Sequence, residues 1–140
     1  MNKKIILVGG CFDLLHFGHI SFLESAKALG TYLIVALESD ANVRYAKGSS
    51  RPIHTQKQRK QMLSALSFID EVIELPLMKT DSEYNDLVSR IRPNIIAVTQ
   101  GDPIKDKKEK QAIAIGASLV EIPKIHTPST SQLAKLLGLE

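Results

Sequence analysis

Short apolar runs alternate along this chain with longer segments in which apolar residues recur every three or four positions. The longer segments predict helices at residues 18–29, 55–67, 82–91, 105–115 and 129–137. The short runs predict strands at residues 4–8, 32–37, 71–75, 95–99 and 118–122. This alternation predicts an α/β fold, a single Rossmann-like doubly wound parallel sheet of about five strands with helices on both faces.

Glycine, proline and polar residues mark the connections between these elements. Gly30 follows the first predicted helix, as a glycine just past a helix end does. The long polar stretch 39–54 is predicted to be a mobile loop over the site. The sequence shows no repeat and no linker between domains, so residues 1–140 are predicted to form one domain.

Composition narrows the class of protein. The net charge is +3, from 18 basic and 15 acidic residues, which is too small to indicate a nucleic-acid partner. No apolar run approaches the roughly 18 residues of a membrane span. The single cysteine excludes an intrachain disulfide and suits a reducing cytoplasm. Basic residues at 44–60 have few acidic neighbours and could bind phosphate, whereas the lysines of 105–110 alternate with acids and predict a solvated helix face.

The most informative stretch is residues 9–19, GGCFDLLHFGH, between the first predicted strand and the first predicted helix. The first N–H groups of a helix have no partner within the helix and carry a partial positive charge, so such a junction binds anions. His16 and His19 are three residues apart and share a face of that first turn. A polyphosphate therefore suits this stretch better than a metal, although a metal pair or two histidines without function remain alternatives.

Two other segments are predicted to reach the same edge of the sheet. Gly101 and Asp102 follow the fourth predicted strand, and residues 124–130 follow the fifth. Ligands of doubly wound sheets bind beyond the carboxyl ends of the strands, where these segments meet. Ser129, Thr130 and Ser131 stand at the start of the last predicted helix, either as a simple cap or as phosphate-binding hydroxyl and N–H groups.

The spacing of the first motif is that of a known signature. Gly10, Phe12, Asp13, His16, Gly18 and His19 resemble the signature of the cytidylyltransferase-like nucleotidyltransferase superfamily. Its members include the ADP-heptose synthase adenylyltransferase domain, glycerol-3-phosphate cytidylyltransferase and archaeal FAD synthetase. The stretch 47–52, the pair at 58–59 and the serine/threonine cluster at 129–131 extend the resemblance over nearly the whole chain, and the first two look most like the heptose enzyme.

The resemblance implies transfer of a nucleoside monophosphate to the phosphate of a small metabolite, with release of pyrophosphate. It favours AMP from ATP and a sugar 1-phosphate acceptor; FMN with ATP, glycerol 3-phosphate with CTP, and a nucleotide-binding module without turnover stay open. Mg²⁺ is expected to be held mainly by the triphosphate rather than by a protein cage. The implied partners are these small molecules, with no nucleic acid or membrane, and a homodimer stays open.

The resemblance also implies roles for single residues. Catalytic roles are implied for His16, His19, Lys47 and Arg59. Nucleotide-binding roles are implied for Gly10, Cys11, Phe12, Asp13, Gly18, Gly101, Asp102, Lys124, Ser129, Thr130 and Ser131. Asp13 is equally well explained as a cap approaching the helix, and Arg51 as surface charge or as a phosphate ligand. Pro103 replaces the aromatic or acidic residue usual after Asp102, which leaves base recognition open, and His54 and His126 have no assigned role.

Overall fold

In the computed structural model, which describes residues 3–125 and 130–138, five strands form one parallel sheet. The strands are β1 (Ile5–Gly10), β2 (Tyr32–Leu37), β3 (Glu71–Glu74), β4 (Ile95–Thr99) and β5 (Ser118–Ile122). Their order across the sheet is β3-β2-β1-β4-β5. This is the predicted doubly wound arrangement, and each predicted strand agrees with an observed one to within two residues at either end.

Helices cover both faces of the sheet. They are α1 (Phe17–Lys27), α2 (Asp40–Lys47), α3 (Gln56–Ser64), α4 (Asp81–Ile91), α5 (Lys105–Ala114) and α6 (Thr130–Leu136). Buried residues of α1 and α3 pack on one face of the sheet, and buried residues of α4 and α5 pack on the other. Alternate residues of each strand supply the two cores, which is why β1, β2 and β4, the strands inside the sheet, are almost entirely apolar.

Helix α2 corrects the prediction of a mobile loop over residues 39–54. The Ser39 side chain accepts a hydrogen bond from the Asn42 N–H and so caps the helix start. Val43 is fully buried, and Gly48 ends the helix with a φ of 109°. Sequence periodicity missed this helix because it is two turns long and buries one apolar residue.

Glycine is required at position 30 for a different reason from the predicted one. Helix α1 ends in an Ala28 C-cap with right-handed backbone angles. A Cβ on Gly30 would come within 2.5 Å of the Lys4 carbonyl oxygen and would clash with the Ile6 side chain. Gly30 is therefore required because two chain segments approach closely there, and not because of a left-handed turn.

The chain reverses its direction of winding after β3. It first builds outward from β1 through β2 to β3, and then returns to place β4 on the other side of β1. The carboxyl ends of β1 and β4 therefore lie at the switch point, where the connections diverge and leave a crevice. Over the ranges 3–125 and 130–138, no helix has both the length and the apolar character to cross a membrane.

Candidate active site

A cavity of about 500 Å³ opens at this switch point, a volume typical of small-molecule sites. Two walls enclose it. The β1–α1 wall consists of Gly9, Gly10, Cys11, Phe12, Asp13, Gly18, His19, Ser21, Phe22 and Ser25, with Lys47 and Arg51 beside it. The β4–β5 wall consists of Ala97, Val98, Thr99, Asp102, Lys108, Ile122, Pro123, Lys124 and Ile125.

The turn after β1 is folded around one aromatic ring. Phe12 is buried and adopts a left-handed φ of 48°, and Leu14 follows with 57°. A Cβ on Gly10 would lie 2.9 Å from the Phe12 ring, so only glycine fits there without displacing the ring. The same ring meets His19 edge-on, with 5.5 Å between ring centroids. Phe12 therefore supports the imidazole of His19 from inside the protein.

His16 and His19 cap the start of α1 reciprocally. The Gly18 N–H donates to Nδ1 of His16 at 3.0 Å, and the His16 N–H donates to Nδ1 of His19 at 3.3 Å. The two rings stack with centroids 3.9 Å apart. Because Nδ1 of each ring accepts a hydrogen bond, a neutral ring must carry its proton on Nε2. Each histidine thus keeps an Nε2–H donor for a ligand.

Both imidazoles are held in the neutral form. Burial lowers the pKa of His16. Burial, followed by the neighbouring His16 and Lys47, lowers the pKa of His19 to about 4. At neutral pH the pair therefore offers N–H dipoles rather than full charges. His19 lines the cavity directly, whereas His16 is not among the lining residues and stacks on His19.

Asp13 and Arg51 form a buried ion pair behind the turn. Arg51 Nε donates to Asp13 Oδ2 at 2.7 Å, and both side chains are essentially inaccessible. The N–H groups of Ile53 and His54 donate to the same carboxylate at 2.7 and 3.0 Å. Burial opposes ionisation of Asp13, but these hydrogen bonds and Arg51 outweigh it and lower the pKa. Arg51 is therefore not surface charge, and Asp13 ties the turn to the segment after α2.

Arg59, for which a catalytic role was predicted, lies away from the cavity. Its side chain is wholly buried and is not part of the cavity wall. Nη1 donates to the Cys11 carbonyl at 2.7 Å, Nη2 to the Glu38 carbonyl and to Asp40 Oδ1, and Nε to the His54 carbonyl. With these partners the guanidinium joins α2 and α3 to the turn after β1, which is a positioning role.

Lys47 lies where a phosphate-binding lysine is expected, although on a helix rather than in a loop. It is the last residue of α2, is exposed, and borders the cavity. Its charge contributes to the low pKa of His19, so it lies near the imidazole pair. Burial raises the pKa of Cys11 despite the same lysine, so the thiol is protonated at neutral pH and is a poor nucleophile.

Of the six residues predicted on the side of β4 and β5, the structure places two in the cavity wall. Asp102 and Lys124 line the cavity. Gly101 does not line it, and its φ of 81° shows that its role is to turn the chain into Asp102. Ser129 and His126 lie outside the described residues. Thr130 and Ser131 begin α6, but their side chains lie outside what is described.

Sequence reasoning missed several residues of the cavity wall, among them three on α1 and one on α5. Ser21, Phe22 and Ser25 follow Gly18 along one face of α1, and this spacing of three and four residues was the available signal. Lys108 was assigned to a solvated face, yet it borders the cavity and pairs with Asp102 at 2.9 Å. Its signal was Ala112, a buried residue one turn further along α5.

Comparison with known proteins identifies the family of the chain. A family model described as Cytidylyltransferase-like matches residues 7–132, which include both walls of the cavity. The chain belongs to the cytidylyltransferase-like family. The match confirms the resemblance carried by the glycine and histidine motif, and with it the prediction of a nucleotidyltransferase enzyme.

Curated relatives are longer than this chain. It is 44% identical over 119 residues to the "Bifunctional protein HldE" of Campylobacter jejuni subsp. doylei, covering 85% of this chain and 23% of the relative. The protein of the same name from Pseudomonas fluorescens is 39% identical over 119 residues, again 23% of its length. The chain therefore spans about a quarter of the length of these curated relatives.

Solved structures share the fold at low sequence identity. The lipopolysaccharide core biosynthesis protein of Thermoplasma volcanium superposes with a TM-score of 0.71 at 22% identity, covering 90% of this chain and 99% of that one. A pantoate-beta-alanine ligase of Francisella tularensis gives a TM-score of 0.64 at 17% identity, with coverage of 95% and 65%. Both support the fold and nothing finer.

Proposed function

We propose that this protein transfers AMP from ATP to the phosphate of a sugar 1-phosphate and releases pyrophosphate. The observation that carries the proposal is the stacked histidine pair, whose Nδ1 atoms are used by the backbone and whose Nε2–H groups remain for a ligand. The relatives named HldE support the choice of reaction through the resemblance of residues 47–52 and 58–59 to an adenylyl-transferring enzyme.

The reaction is a direct displacement at phosphorus. An oxygen of the acceptor phosphate attacks the α-phosphorus of ATP, the bond from that phosphorus to the bridging oxygen of the β-phosphate breaks, and pyrophosphate leaves with the bonding electrons. Such a step needs positioning and charge stabilisation more than covalent help. The N–H groups of the neutral imidazoles stabilise the negative charge that develops on the α-phosphate, and Lys47 supplies a cation beside them.

Mg²⁺ is proposed to enter with the triphosphate. Asp13, the carboxylate at the glycine turn, already accepts bonds from Arg51, Ile53 and His54, so it is poorly placed to take a metal as well. Within the described part of the chain, no group of three or more histidine, cysteine or acidic residues could hold an ion. This donor set fits a Mg²⁺ bound largely by phosphate oxygens, where it would neutralise charge on the leaving group. A cytoplasmic location and a homodimer stay predictions.

The test is pyrophosphate release with ATP or CTP, each paired with heptose 1-phosphate, FMN or glycerol 3-phosphate. We expect the highest kcat/KM for ATP with heptose 1-phosphate. A tenfold preference for CTP, equivalent to about 1.4 kcal/mol, would overturn the choice of nucleotide. Release with FMN alone would overturn the choice of acceptor. A protein that binds ATP but releases no pyrophosphate with any pair would be a binding module and not the proposed enzyme.

A further inference from the structure

Lys108 is set apart from the other lysines of α5 by where its side chain lies. Its Nζ is 2.9 Å from Asp102 Oδ2, and the two side chains are only 21% and 15% exposed. Both border the cavity. Lys107, its neighbour, is 59% exposed, and its Nζ pairs with Asp81 at 3.2 Å away from the cavity wall.

Asp102 does not need Lys108 to shape the loop. Its Oδ1 already accepts the Ile104 N–H at 2.9 Å, and its carbonyl accepts the Lys105 N–H, which together fix the entry to α5. Packing does not call for a lysine either, because the next residue on this face of the helix is the buried Ala112. A half-buried ammonium costs desolvation energy that an apolar side chain would avoid. The pair therefore points towards a ligand in the cavity.

The chemistry of the pair selects the kind of ligand. The opposite charges of Lys108 and Asp102 largely cancel, so the pair is a poor site for phosphate, unlike the turn with Lys47. An ammonium donor beside a carboxylate acceptor matches hydroxyl groups, each of which both accepts and donates a hydrogen bond. Lysine Nζ has three donors, and Asp102 Oδ2 takes one of them.

We propose that Lys108, together with Asp102, binds neighbouring hydroxyls of a substrate sugar. The inference rests on the proposed function, which brings two such sugars to the cavity, the ribose of the nucleotide and the sugar of the acceptor. Lys108 is then a substrate-binding residue of the β4–β5 wall, and Lys107 is ordinary surface charge.

The test compares K108M, K108R and the matched control K107M with the wild type by calorimetric binding. The ligands are ATP, 2′-deoxy-ATP, 3′-deoxy-ATP and heptose 1-phosphate. We expect K108M to weaken one hydroxylated sugar about tenfold, as loss of a charged hydrogen bond does. If the ribose is bound, K108M loses affinity for ATP but little for the deoxy analogue that lacks the bound hydroxyl. The wild type already binds that analogue less tightly than ATP. If the acceptor is the ligand, only heptose 1-phosphate is affected. K108R keeps part of the affinity, and K107M changes none.

Equal affinities of wild type and K108M for all four ligands would overturn the inference. The inference would also be overturned if K108M lost the same affinity for ATP and for both deoxy analogues and bound heptose 1-phosphate normally. That result is expected if Lys108 only holds the loop in place. If K108M does not fold, the wild type and K108R provide the test. The inference is overturned if the wild type binds both deoxy analogues as tightly as ATP and K108R binds heptose 1-phosphate as tightly as the wild type does. Wild type that turns over ATP while failing these tests refutes this inference alone, whereas wild type that binds ligands without turnover refutes the proposed enzyme.

Discussion

The two walls of the cavity are built differently. The β1–α1 wall is supported by charges with almost no access to solvent, since Arg51 and Arg59 are both buried and each donates a hydrogen bond to the turn after β1. The β4–β5 wall carries a partly exposed pair, Asp102 with Lys108, and an exposed Ile125. Charge stabilisation demands donors that do not move during the reaction, whereas binding a sugar tolerates softer contacts. Under the proposed function, the first wall therefore carries out the chemistry and the second wall recognises the substrate.

Breaking the buried support should produce the largest effect. In Arg51→Met, the Asp13 carboxylate stays buried without its cation, which costs about 3–5 kcal/mol of folding stability. The melting temperature should fall by about 10 °C or more in a thermal unfolding scan. Arg44→Met, an exposed arginine of α2, is the control and should leave the melting temperature nearly unchanged.

A double variant sharpens this test. Removing both charges with Asp13→Asn and Arg51→Met should recover part of the lost stability, because no uncompensated charge then remains buried. A double variant no more stable than Arg51→Met would show that the arginine acts through contacts other than the ion pair.

Removing either imidazole should leave the fold intact and strongly reduce the catalytic rate. His16→Ala and His19→Ala should each lower kcat by about 10²–10³, the usual loss for one charge-stabilising donor. The Kd for ATP should change much less, because the neutral rings act mainly on charge that develops during the reaction. Steady-state kinetics with calorimetric binding measure both. Near-normal turnover in either variant would refute the assignment, and loss of folding would favour histidines that serve only as helix caps.

Lys47 should have a smaller effect, although one larger than that of a surface charge. Lys47→Ala should lower kcat/KM for ATP about tenfold, because the lysine borders the cavity beside His19. Lys57→Ala, at an exposed position of α3, is the matched control, and screening should keep its effect near zero. If the two variants lose the same small amount, Lys47 belongs with the solvated charges.

The histidine pair also predicts a modest dependence of stability on pH. The folded pKa of His19 is about 4 and its ordinary value is 6.5, so the unfolded chain takes up a proton first as the pH falls. Stability should therefore drop by about 2 kcal/mol between pH 6.5 and pH 4. Denaturant titrations of wild type and His19→Gln across this range measure it. A variant with the same slope as wild type would place the pH dependence elsewhere.

The sequence predicted the sheet because that part of the fold rests on local patterns. Apolar runs, the spacing of the glycines and histidines, and the alternation of elements are all visible in one dimension. It also predicted residues 10–13, Gly18 and His19 in the β1–α1 wall, since strand, turn and helix follow one another there within residues 5–27. The predictions of a mobile loop over residues 39–54 and of a helix-ending role for Gly30 were wrong. Short helices and close approaches between distant chain segments leave weak local signals in a sequence.

The arginines and Lys108 show what could not be predicted from the sequence alone. It set the residue types and the order in which they occur, and that sufficed for the fold and for the family to which the chain belongs. Only the tertiary structure decided that Arg51 and Arg59 are buried, and that Lys108 rather than Lys107 reaches the cavity. For the arginines the reason is that burial and pairing depend on partners far along the chain, such as Cys11, which lies 48 residues from Arg59. No periodicity along the chain encodes that distance.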